Sequence, residues 1–280
     1  QMKSDWEAVI QDVARRVQLP EKTFIAATDG LLHCSICGNP VQKKIRTLGR
    51  EFVVPLSCDC IMRKEREFKA REEAERKTRN RQICFGGLAG KYAEARFELS
   101  SGYNERIAKA MEKYADDFCN VTSGEMKGDG FLLFGPVGTG KSWLCAAVCN
   151  RILDNGYTAL LTNFGHIADA MGDWADRKEY MESLLRYNLL VLDDLGIERQ
   201  SEYMQEIVYN VINSRYEAGL PMLVTTNLTK RDILDTRNIN LARIYDRLLQ
   251  CCIPVEVSGK SIRREEFREK NEKRKGVYGL

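Results

Sequence analysis

The sequence lacks a hydrophobic run long enough to cross a membrane. A bilayer-spanning helix needs about 20 consecutive apolar residues, and no apolar run in this 280-residue chain approaches that length. The first ten residues, QMKSDWEAVI, also lack the features of a signal peptide. We therefore expect a cytoplasmic protein without a membrane partner.

The chain also lacks a strong excess of charge of either sign. Charged residues make up 30% of it, yet the formal net charge is only +3. This balance is typical of a mixed, soluble surface and excludes a histone-like polycation. Internal repeats and low-complexity tracts are absent as well. A hydrophobic content of 44% is enough to build one large domain or two modest ones.

Cysteine, in contrast, is plentiful, with ten residues. In a cytosolic chain these are expected to be thiols or metal ligands and not disulfides. Four of them form two close pairs, Cys34 with Cys37 and Cys58 with Cys60, in the spacing of a tetrahedral zinc site with a shortened second pair. The sequence therefore predicts a Zn²⁺ site in a small N-terminal domain. The alternatives are four reduced thiols, or a site in which His33 replaces one cysteine.

Helical spacing of apolar residues predicts a helix over 5–17, and the segment 43–56 between the two cysteine pairs is predicted to form a hairpin. Residues 62–81 carry nine basic residues and five glutamates but almost no apolar side chain. This composition predicts a solvated basic helix. Such a helix is either a spacer between domains or a contact to nucleic acid.

From residue 104 onward, helical and strand patterns alternate. A helix is predicted over 105–118. Five short apolar runs are predicted to be strands: 130–134, 157–162, 189–194, 221–226 and 252–257. Continuous apolar strands separated by helices indicate a parallel sheet that is covered on both faces. The predicted fold class is therefore α/β, with a parallel sheet sandwiched by helices, as in nucleotide-binding domains.

A phosphate-binding loop follows the first of these strands. Residues 135–142, GPVGTGKS, match G-x-x-x-x-G-K-[ST] between a predicted strand and a predicted helix. The glycines let backbone N–H groups turn toward phosphates, the lysine reaches the β and γ phosphates, and the serine hydroxyl is a ligand of Mg²⁺. The residues assigned to ATP binding are Gly135, Pro136, Val137, Gly138, Thr139, Gly140, Lys141, Ser142 and Trp143.

Two adjacent carboxylates end another predicted strand. Asp193 and Asp194 follow the apolar run LLVL, where a pair of buried carboxylates is costly without a cation. We expect Asp193 to hold Mg²⁺ together with Ser142, and Asp194 to orient or deprotonate the attacking water. Asn227, after the next strand, is a candidate for positioning that water, with a plain turn residue as the alternative.

Three arginines lie toward the end of the chain. Arg243 and Arg247 are four residues apart on one helical face, and Arg263 follows the last predicted strand. The functional interpretation of the pair is an arginine finger that acts across a subunit interface. The alternative is two surface charges.

Taken in order, these motifs resemble a known family. The P-loop, LDDLG (192–196), RYEAGLPMLVTTN (215–227), RIYDRL (243–248) and GKSIR (259–263) resemble the AAA+ ATPases of the bacterial and phage helicase-loader group, the DnaC/DnaI-like proteins. The transposition ATPase IstB is related and has the same core. The resemblance covers roughly residues 86–265.

The resemblance assigns Asn227 to the sensor I position, Arg247 to the arginine finger with Arg243 nearby, and Arg263 to the sensor II position. Only 23 residues follow residue 257, so we expect the helical lid of a full AAA+ module to be missing, as in loaders of this group. The expected domains are a zinc-binding helicase-interaction domain (1–61), a basic helical linker (62–85) and an AAA+ ATPase domain (86–280).

The function implied by the resemblance is ATP-dependent loading of a hexameric, DnaB-type replicative helicase onto single-stranded DNA, with self-association through the AAA+ domain. DNA contacts are expected in 162–187, where this group has an extra helix, although an ordinary crossover helix is the alternative. The candidate contacts are Phe164, Arg177, Lys178 and Arg186. Two rival functions remain: an IstB-like transposition helper that acts on duplex DNA, and a non-catalytic inhibitor that occupies the helicase.

Overall fold

The computed structural model describes residues 17, 19–47, 49–86, 89–99, 104–171, 174–196 and 202–278. The predicted helix over 5–17 lies outside these ranges except for its last residue. The chain divides into two compact units, residues 1–76 and 77–280. Within the described ranges, no helix combines the length and the apolar character that crossing a membrane requires.

The first unit is built from two antiparallel strand pairs. Its strands are β1 Thr23–Ile25, β2 Leu32–Cys34, β3 Gln42–Thr47 and β4 Arg50–Pro55. β1 pairs with β2, and β3 pairs with β4 in the hairpin predicted between the cysteine pairs. Among the described residues of this unit the buried cluster is small, and it consists mainly of Cys34, Val41, Cys58 and Cys60. So small a core contributes little hydrophobic stabilisation, which is the situation in which small domains depend on a metal.

A long helix, α1 Asp59–Phe85, begins in the first unit and ends in the second. It contains the basic helix predicted over 62–81. Its last turn is only partly exposed to solvent, because Cys84 and Phe85 are buried in the core of the second unit. Arg81 donates to the Asn150 side chain at 3.2 Å and forms an ion pair with Asp154. The C-terminal end of the predicted linker is therefore packed against the second unit.

The second unit is organised by a five-stranded parallel sheet. Its strands are β5 Gly130–Phe134, β6 Ala159–Asn163, β7 Leu189–Leu195, β8 Met222–Thr226 and β9 Cys252–Glu256. All five predicted strands are confirmed to within two residues at each end. Their spatial order is β6-β7-β8-β5-β9. The first strand of the unit in sequence, β5, thus lies inside the sheet between β8 and β9, and the loop that follows it emerges near the ends of its neighbours.

Helices cover both faces of this sheet. The described helices of the unit after α1 are α2 Ala89–Tyr92, α3 Glu105–Asp116, α4 Phe118–Ser123, α5 Lys141–Asp154, α6 Phe164–Ala170, α7 Trp174–Leu184, α8 Glu202–Glu217, α9 Lys230–Leu234, α10 Ile239–Cys251 and α11 Ile262–Tyr278, with a short 3₁₀ turn at Phe97–Leu99. The helix predicted over 105–118 ends at Asp116, and the segment predicted over 162–187 forms two helices, α6 and α7.

Successive residues of the central strands enter two separate cores. Leu133 and Val191 belong to one core, in which α3 and α5 cover the sheet, whereas Leu132 and Leu192 belong to the other, with α8 and α10. Alternate side chains of a strand point to opposite faces, so a strand that is apolar throughout must be covered on both. The predicted α/β class with a parallel sheet sandwiched by helices is therefore confirmed.

Candidate functional site

The phosphate-binding loop connects β5 to α5 across residues 135–140. Gly135 has a φ of 134°, and a Cβ atom placed there would lie 2.5 Å from the carbonyl oxygen of Val257. Two non-bonded heavy atoms cannot approach so closely, and the positive φ also favours glycine. The first position of the loop consequently requires glycine, which lets the loop pass directly against the backbone that follows β9.

Lys141 begins α5 and directs its amine back into the loop. Its Nζ donates to the carbonyl oxygens of Gly135 and Pro136, both at 2.8 Å, and to Oδ1 of Asn227 at 2.9 Å. The side chain is almost completely buried. Since an ammonium group has three protons to donate, the amine is fully satisfied by these three oxygens.

Several charges surround this amine. Burial lowers the pKa of Lys141, whereas the carboxylates of Asp194 and Asp193 raise it. Arg263 adds to the effect of burial, because its positive charge also lowers the pKa of Lys141. Arg263 is therefore close enough to the phosphate loop of its own chain to lower the pKa of Lys141.

The segment that follows β9 lies against the loop and explains how Arg263 arrives there. The backbone N–H of Ile262 donates to the carbonyl oxygen of Gly138 at 2.9 Å. The hydroxyl oxygen of Ser261 stands 2.2 Å from the position that a Cβ atom on Gly138 would take. Ser261 was not singled out from the sequence, since its contact with the loop depends on the path of the chain after β9.

The two predicted carboxylates lie at the end of β7, opposite the start of α5. The Ser142 hydroxyl donates to Oδ1 of Asp193 at 2.7 Å. Nδ2 of Asn227 donates to Oδ1 of Asp194 at 3.3 Å, while Oδ1 of the same amide accepts from Lys141. The structure thus brings five predicted residues from three segments of the chain into one polar cluster.

Thr225 belongs to this cluster and was missed in the sequence analysis. Its hydroxyl donates to Oδ1 of Asp193 at 2.6 Å and accepts from the backbone N–H of Asp194 at 2.9 Å. The residue directly precedes Thr226 and Asn227 in the TTN segment at the end of β8. A hydroxyl residue two positions before the candidate asparagine was the available signal.

The remaining residues assigned to ATP binding line the loop or the start of α5. The Thr139 hydroxyl donates to the carbonyl oxygen of Pro136 at 3.0 Å, and Gly140 has a φ of 96°. Val137 is exposed, at 60%. Trp143 packs against the core on the α3 and α5 side, and its indole N–H is buried without a hydrogen-bond partner among the described residues.

The arginine pair on α10 lies apart from this cluster. Arg247 is half-buried, with its guanidinium carbon 4.8 Å from the centre of the Tyr216 ring, and Arg243 is exposed. Within the described ranges, no carboxylate forms an ion pair with either guanidinium. Stacking on an aromatic face holds a guanidinium in position without neutralising it, as the Tyr216 ring does for Arg247.

The predicted DNA contact at Phe164 is wrong. Phe164 begins α6 with no exposed surface and packs in the core between the sheet and α8, so its ring has no free face on which a base could stack. The three basic candidates differ from it: Lys178 and Arg186 are exposed, and Arg177 is half-buried. Arg177 donates to the carbonyl oxygen of Met171 at 3.2 Å, which holds part of its side chain against the protein.

The four predicted cysteine ligands form a compact cluster in the first unit. All four Sγ atoms lie within 4.8 Å of one another. The Cys34–Cys60 distance is 3.6 Å, the Cys37–Cys58 distance 3.3 Å and the Cys58–Cys60 distance 3.1 Å. A disulfide is about 2.05 Å long, whereas four Zn–S bonds of about 2.3 Å in a tetrahedron separate the sulfurs by about 3.8 Å. The distances fit a shared metal far better than disulfides.

His33 precedes Cys34 in the chain, but both of its ring nitrogens have hydrogen-bond partners other than a metal. Its Nδ1 lies 2.8 Å from the carbonyl oxygen of Gly38, and its Nε2 lies 3.0 Å from Oδ2 of Asp29. These contacts raise the pKa of His33. With both ring nitrogens occupied, the structure favours the four-cysteine set over a set that includes this histidine.

The thiols of the cluster differ in their tendency to ionise. Backbone N–H groups, first that of Cys37 and then that of Ile36, lower the pKa of Cys34 to about 6. The neighbouring Cys58 sulfur raises the pKa of Cys60 to about 12. Because a metal binds the thiolate form, backbone donors around the first pair favour the form that binds metal.

Comparison with protein families gives one match over most of the chain. Residues 61–270, which are 210 of the 280, match the family model described as IstB-like ATP binding protein. The matched range begins near the start of α1 and includes the phosphate loop, both aspartates and the three arginines.

Several curated proteins are similar to this chain. The replicative helicase loader DnaC of Escherichia coli K12 is 28% identical over 153 residues, 52% of this chain and 58% of that protein. DnaI of Bacillus subtilis 168, also a replicative helicase loader, is 22% identical over 167 residues, 55% of this chain and 54% of that protein. A putative insertion sequence ATP-binding protein of Sinorhizobium fredii is 29% identical over 150 residues, 51% of this chain and 49% of that protein. This chain spans about half the length of the curated relatives that it matches.

A solved structure has the same fold. The crystal structure of DnaI superposes with a TM-score of 0.51 at 20% identity, covering 61% of this chain and 92% of that one. At this identity the likeness concerns the fold alone. Together with the parallel sheet and the phosphate loop, it confirms the predicted P-loop α/β fold.

Proposed function

Because the chain belongs to the IstB-like ATP-binding protein family, we propose that it is an ATPase that loads a replicative DNA helicase onto single-stranded DNA. The observation that carries this proposal is the similarity to DnaC and DnaI, combined with the polar cluster that joins Lys141, Ser142, Asp193, Asp194 and Asn227 at the phosphate loop.

Lys141, Ser142 and Asp193 bind the nucleotide and its metal. The Lys141 amine exchanges its hydrogen bonds to loop carbonyls for hydrogen bonds to phosphate oxygens. Because the amine already lies within the loop, this exchange requires only a short movement. Ser142 and Asp193 present two oxygens 2.7 Å apart, and oxygen is the donor type that Mg²⁺ prefers. A bound Mg²⁺ ion supplies neutralisation of the phosphate charge.

Asp194 and Asn227 act on the attacking water. Asp194 accepts a proton from the water or orients it, and Asn227 holds the water against the terminal phosphate. Their 3.3 Å contact places them beside each other. Oδ1 of Asn227 also accepts a hydrogen bond from Lys141, so a phosphate group bound by Lys141 would release the amide for this role.

The three arginines divide between two nucleotide sites. Arg263 serves the site of its own chain, since its charge is felt by Lys141. Arg247, with Arg243 beside it on α10, reaches the nucleotide of a neighbouring copy. Its unneutralised charge, held on the Tyr216 ring, supports a role in trans and hence self-association through this unit.

The cysteine cluster binds Zn²⁺ and stabilises the first unit, which docks on the helicase. Four thiols within 4.8 Å match the donor number and softness that structural zinc sites use. Since so few apolar residues are buried beside them, metal binding contributes much of the folding free energy of this unit. Lys178 and Arg186, both exposed, contact the DNA backbone.

The deciding experiment mixes the full-length protein with its cognate replicative helicase, ATP and Mg²⁺, and measures complex formation by native mass spectrometry. Helicase transfer to single-stranded DNA is measured in parallel by the onset of unwinding. We expect a complex with the parent protein, and unwinding that Asp194→Asn supports poorly.

Three outcomes contradict the proposal in different ways. Capture of a transposase in place of the helicase, with activity on duplex DNA, supports the insertion-sequence role suggested by the Sinorhizobium fredii relative. A helicase complex that blocks unwinding, formed equally by the parent and by Asp194→Asn, supports an inhibitor. Absence of any helicase complex rules out loading.

A further inference from the structure

The pairing between β7 and β8 is irregular at the two carboxylates. Leu192 pairs with Val224 and Leu195 pairs with Thr226, so the register shifts between these points. Two residues of β7, Asp193 and Asp194, therefore stand opposite one residue of β8, which is the pattern of a β-bulge.

The bulge explains how two consecutive carboxylates serve one site. In a regular strand, neighbouring side chains point to opposite faces. Here Asp194 has a φ of 58°, in the left-handed region that few residues other than glycine adopt. Asp193 consequently meets the Ser142 hydroxyl while Asp194 meets the Asn227 amide, and both face the phosphate loop.

Thr225 is the single residue opposite this bulge. Its side chain is fully buried, and its hydroxyl donates to Asp193 Oδ1 at 2.6 Å and accepts from the Asp194 N–H at 2.9 Å. A hydroxyl has one proton to donate and lone pairs to accept with. One oxygen atom thus ties the side chain of the first aspartate to the backbone of the second.

We propose that Thr225 is a positioning residue for ATP hydrolysis. By stabilising the bulge, it fixes the positions of both the metal-binding carboxylate of Asp193 and the water-activating carboxylate of Asp194. This inference rests on the proposed ATPase function. In that function Ser142 would be a ligand of the metal, which would leave Thr225 as the hydroxyl that donates to Asp193. Thr225 is fully buried and bonds to both aspartates, so it acts through them.

Three variants separate this role from a general loss of stability. Thr225→Val removes the hydroxyl and keeps the branched shape, whereas Thr225→Ser keeps the hydroxyl. Thr226→Val is the matched control, because Thr226 is the next residue, is equally buried, and also makes two hydrogen bonds. Those bonds go to backbone groups of Leu195 and Leu228 and not to the aspartates.

Two quantities are measured on the full-length protein: kcat, and the Mg²⁺ concentration for half-maximal binding of a fluorescent non-hydrolysable ATP analogue. In Thr225→Val we expect kcat to fall about 10- to 100-fold and the Mg²⁺ requirement to rise several-fold, since a hydrogen bond to a charged group is lost and a buried donor is orphaned. Thr225→Ser should recover most of both. Thr226→Val should lower the melting temperature comparably and leave the Mg²⁺ requirement unchanged.

The inference alone is overturned if the parent hydrolyses ATP and Thr225→Val keeps the parent's kcat and Mg²⁺ requirement, or if Thr226→Val shifts the Mg²⁺ requirement as strongly. A parent that binds nucleotide without turnover refutes the proposed ATPase, and the Mg²⁺ titration then still decides whether Thr225 positions Asp193. A parent that binds no nucleotide refutes both.

Discussion

The close approach of the phosphate loop to the end of β9 makes a quantitative prediction about Gly135. In Gly135→Ala, the new methyl group meets the Val257 carbonyl oxygen at 2.5 Å, and the residue must keep a φ of 134°. Neither Val257 nor the loop can move freely, because the Val257 N–H is bonded to the Phe134 carbonyl oxygen at 2.8 Å. Both partners of the clash are therefore fixed backbone.

A second glycine separates the two costs. Gly156 also has a positive φ, 88°, but no atom lies within 4 Å of its would-be Cβ. In Gly156→Ala only the backbone conformation is penalised, by about 1–3 kcal/mol. In Gly135→Ala the steric conflict adds about 1–3 kcal/mol. We expect the melting temperature of Gly135→Ala to lie about 2–12 °C below that of Gly156→Ala in a unit of this size.

The assay is thermal unfolding followed by tryptophan fluorescence in a Trp6→Phe background. Both remaining tryptophans belong to the second unit, and Trp143 packs against its core. Equal melting temperatures for the two glycine variants would refute the steric argument. An unchanged melting temperature in Gly156→Ala would refute the conformational one.

Three further predictions follow from the site. Lys141→Ala should weaken ATP binding about 10- to 100-fold through loss of charge-assisted hydrogen bonds, measured by calorimetry; an affinity equal to that of the parent contradicts the role of the amine. Cys60→Ser should lose the bound zinc in elemental analysis, whereas Cys119→Ser, at an exposed thiol outside the cluster, should retain it; a parent protein free of zinc contradicts the site. Arg247→Ala and Asp194→Asn should each lose about 10³-fold or more in assembly-dependent hydrolysis. A mixture of the two should regain part of it, and a mixture that co-assembles yet stays inactive contradicts action in trans.

The sequence alone predicted the strands of the central sheet and most residues of the polar cluster. Five apolar runs became the five parallel strands, because a strand buried on both faces must be apolar throughout. The phosphate loop and the aspartate pair were identified because each is contiguous in the chain. The cysteine spacing likewise predicted a cluster, since two short pairs joined by a hairpin bring four thiols together.

Other features depended on contacts between distant segments. Phe164 has the same local pattern whether its ring faces solvent or core, and only the packing of α6 against the sheet buried it. Arg81 is the last residue of the basic helix predicted to be solvated over 62–81, yet its side chain bonds to Asn150. Sequence composition is averaged over a segment, whereas burial is decided residue by residue.

The bulge at Asp193 and Asp194 is the clearest case of what only the tertiary structure decided. The sequence places two carboxylates side by side, which in a regular strand would send them to opposite faces. Pairing with β8 places Thr225 opposite both aspartates. Its hydroxyl then bonds to the side chain of Asp193 and to the backbone N–H of Asp194. Strand register is a relation between two segments about 30 residues apart. The sequence therefore supplied the reactive groups, and the alignment of β7 with β8 gave them a common direction.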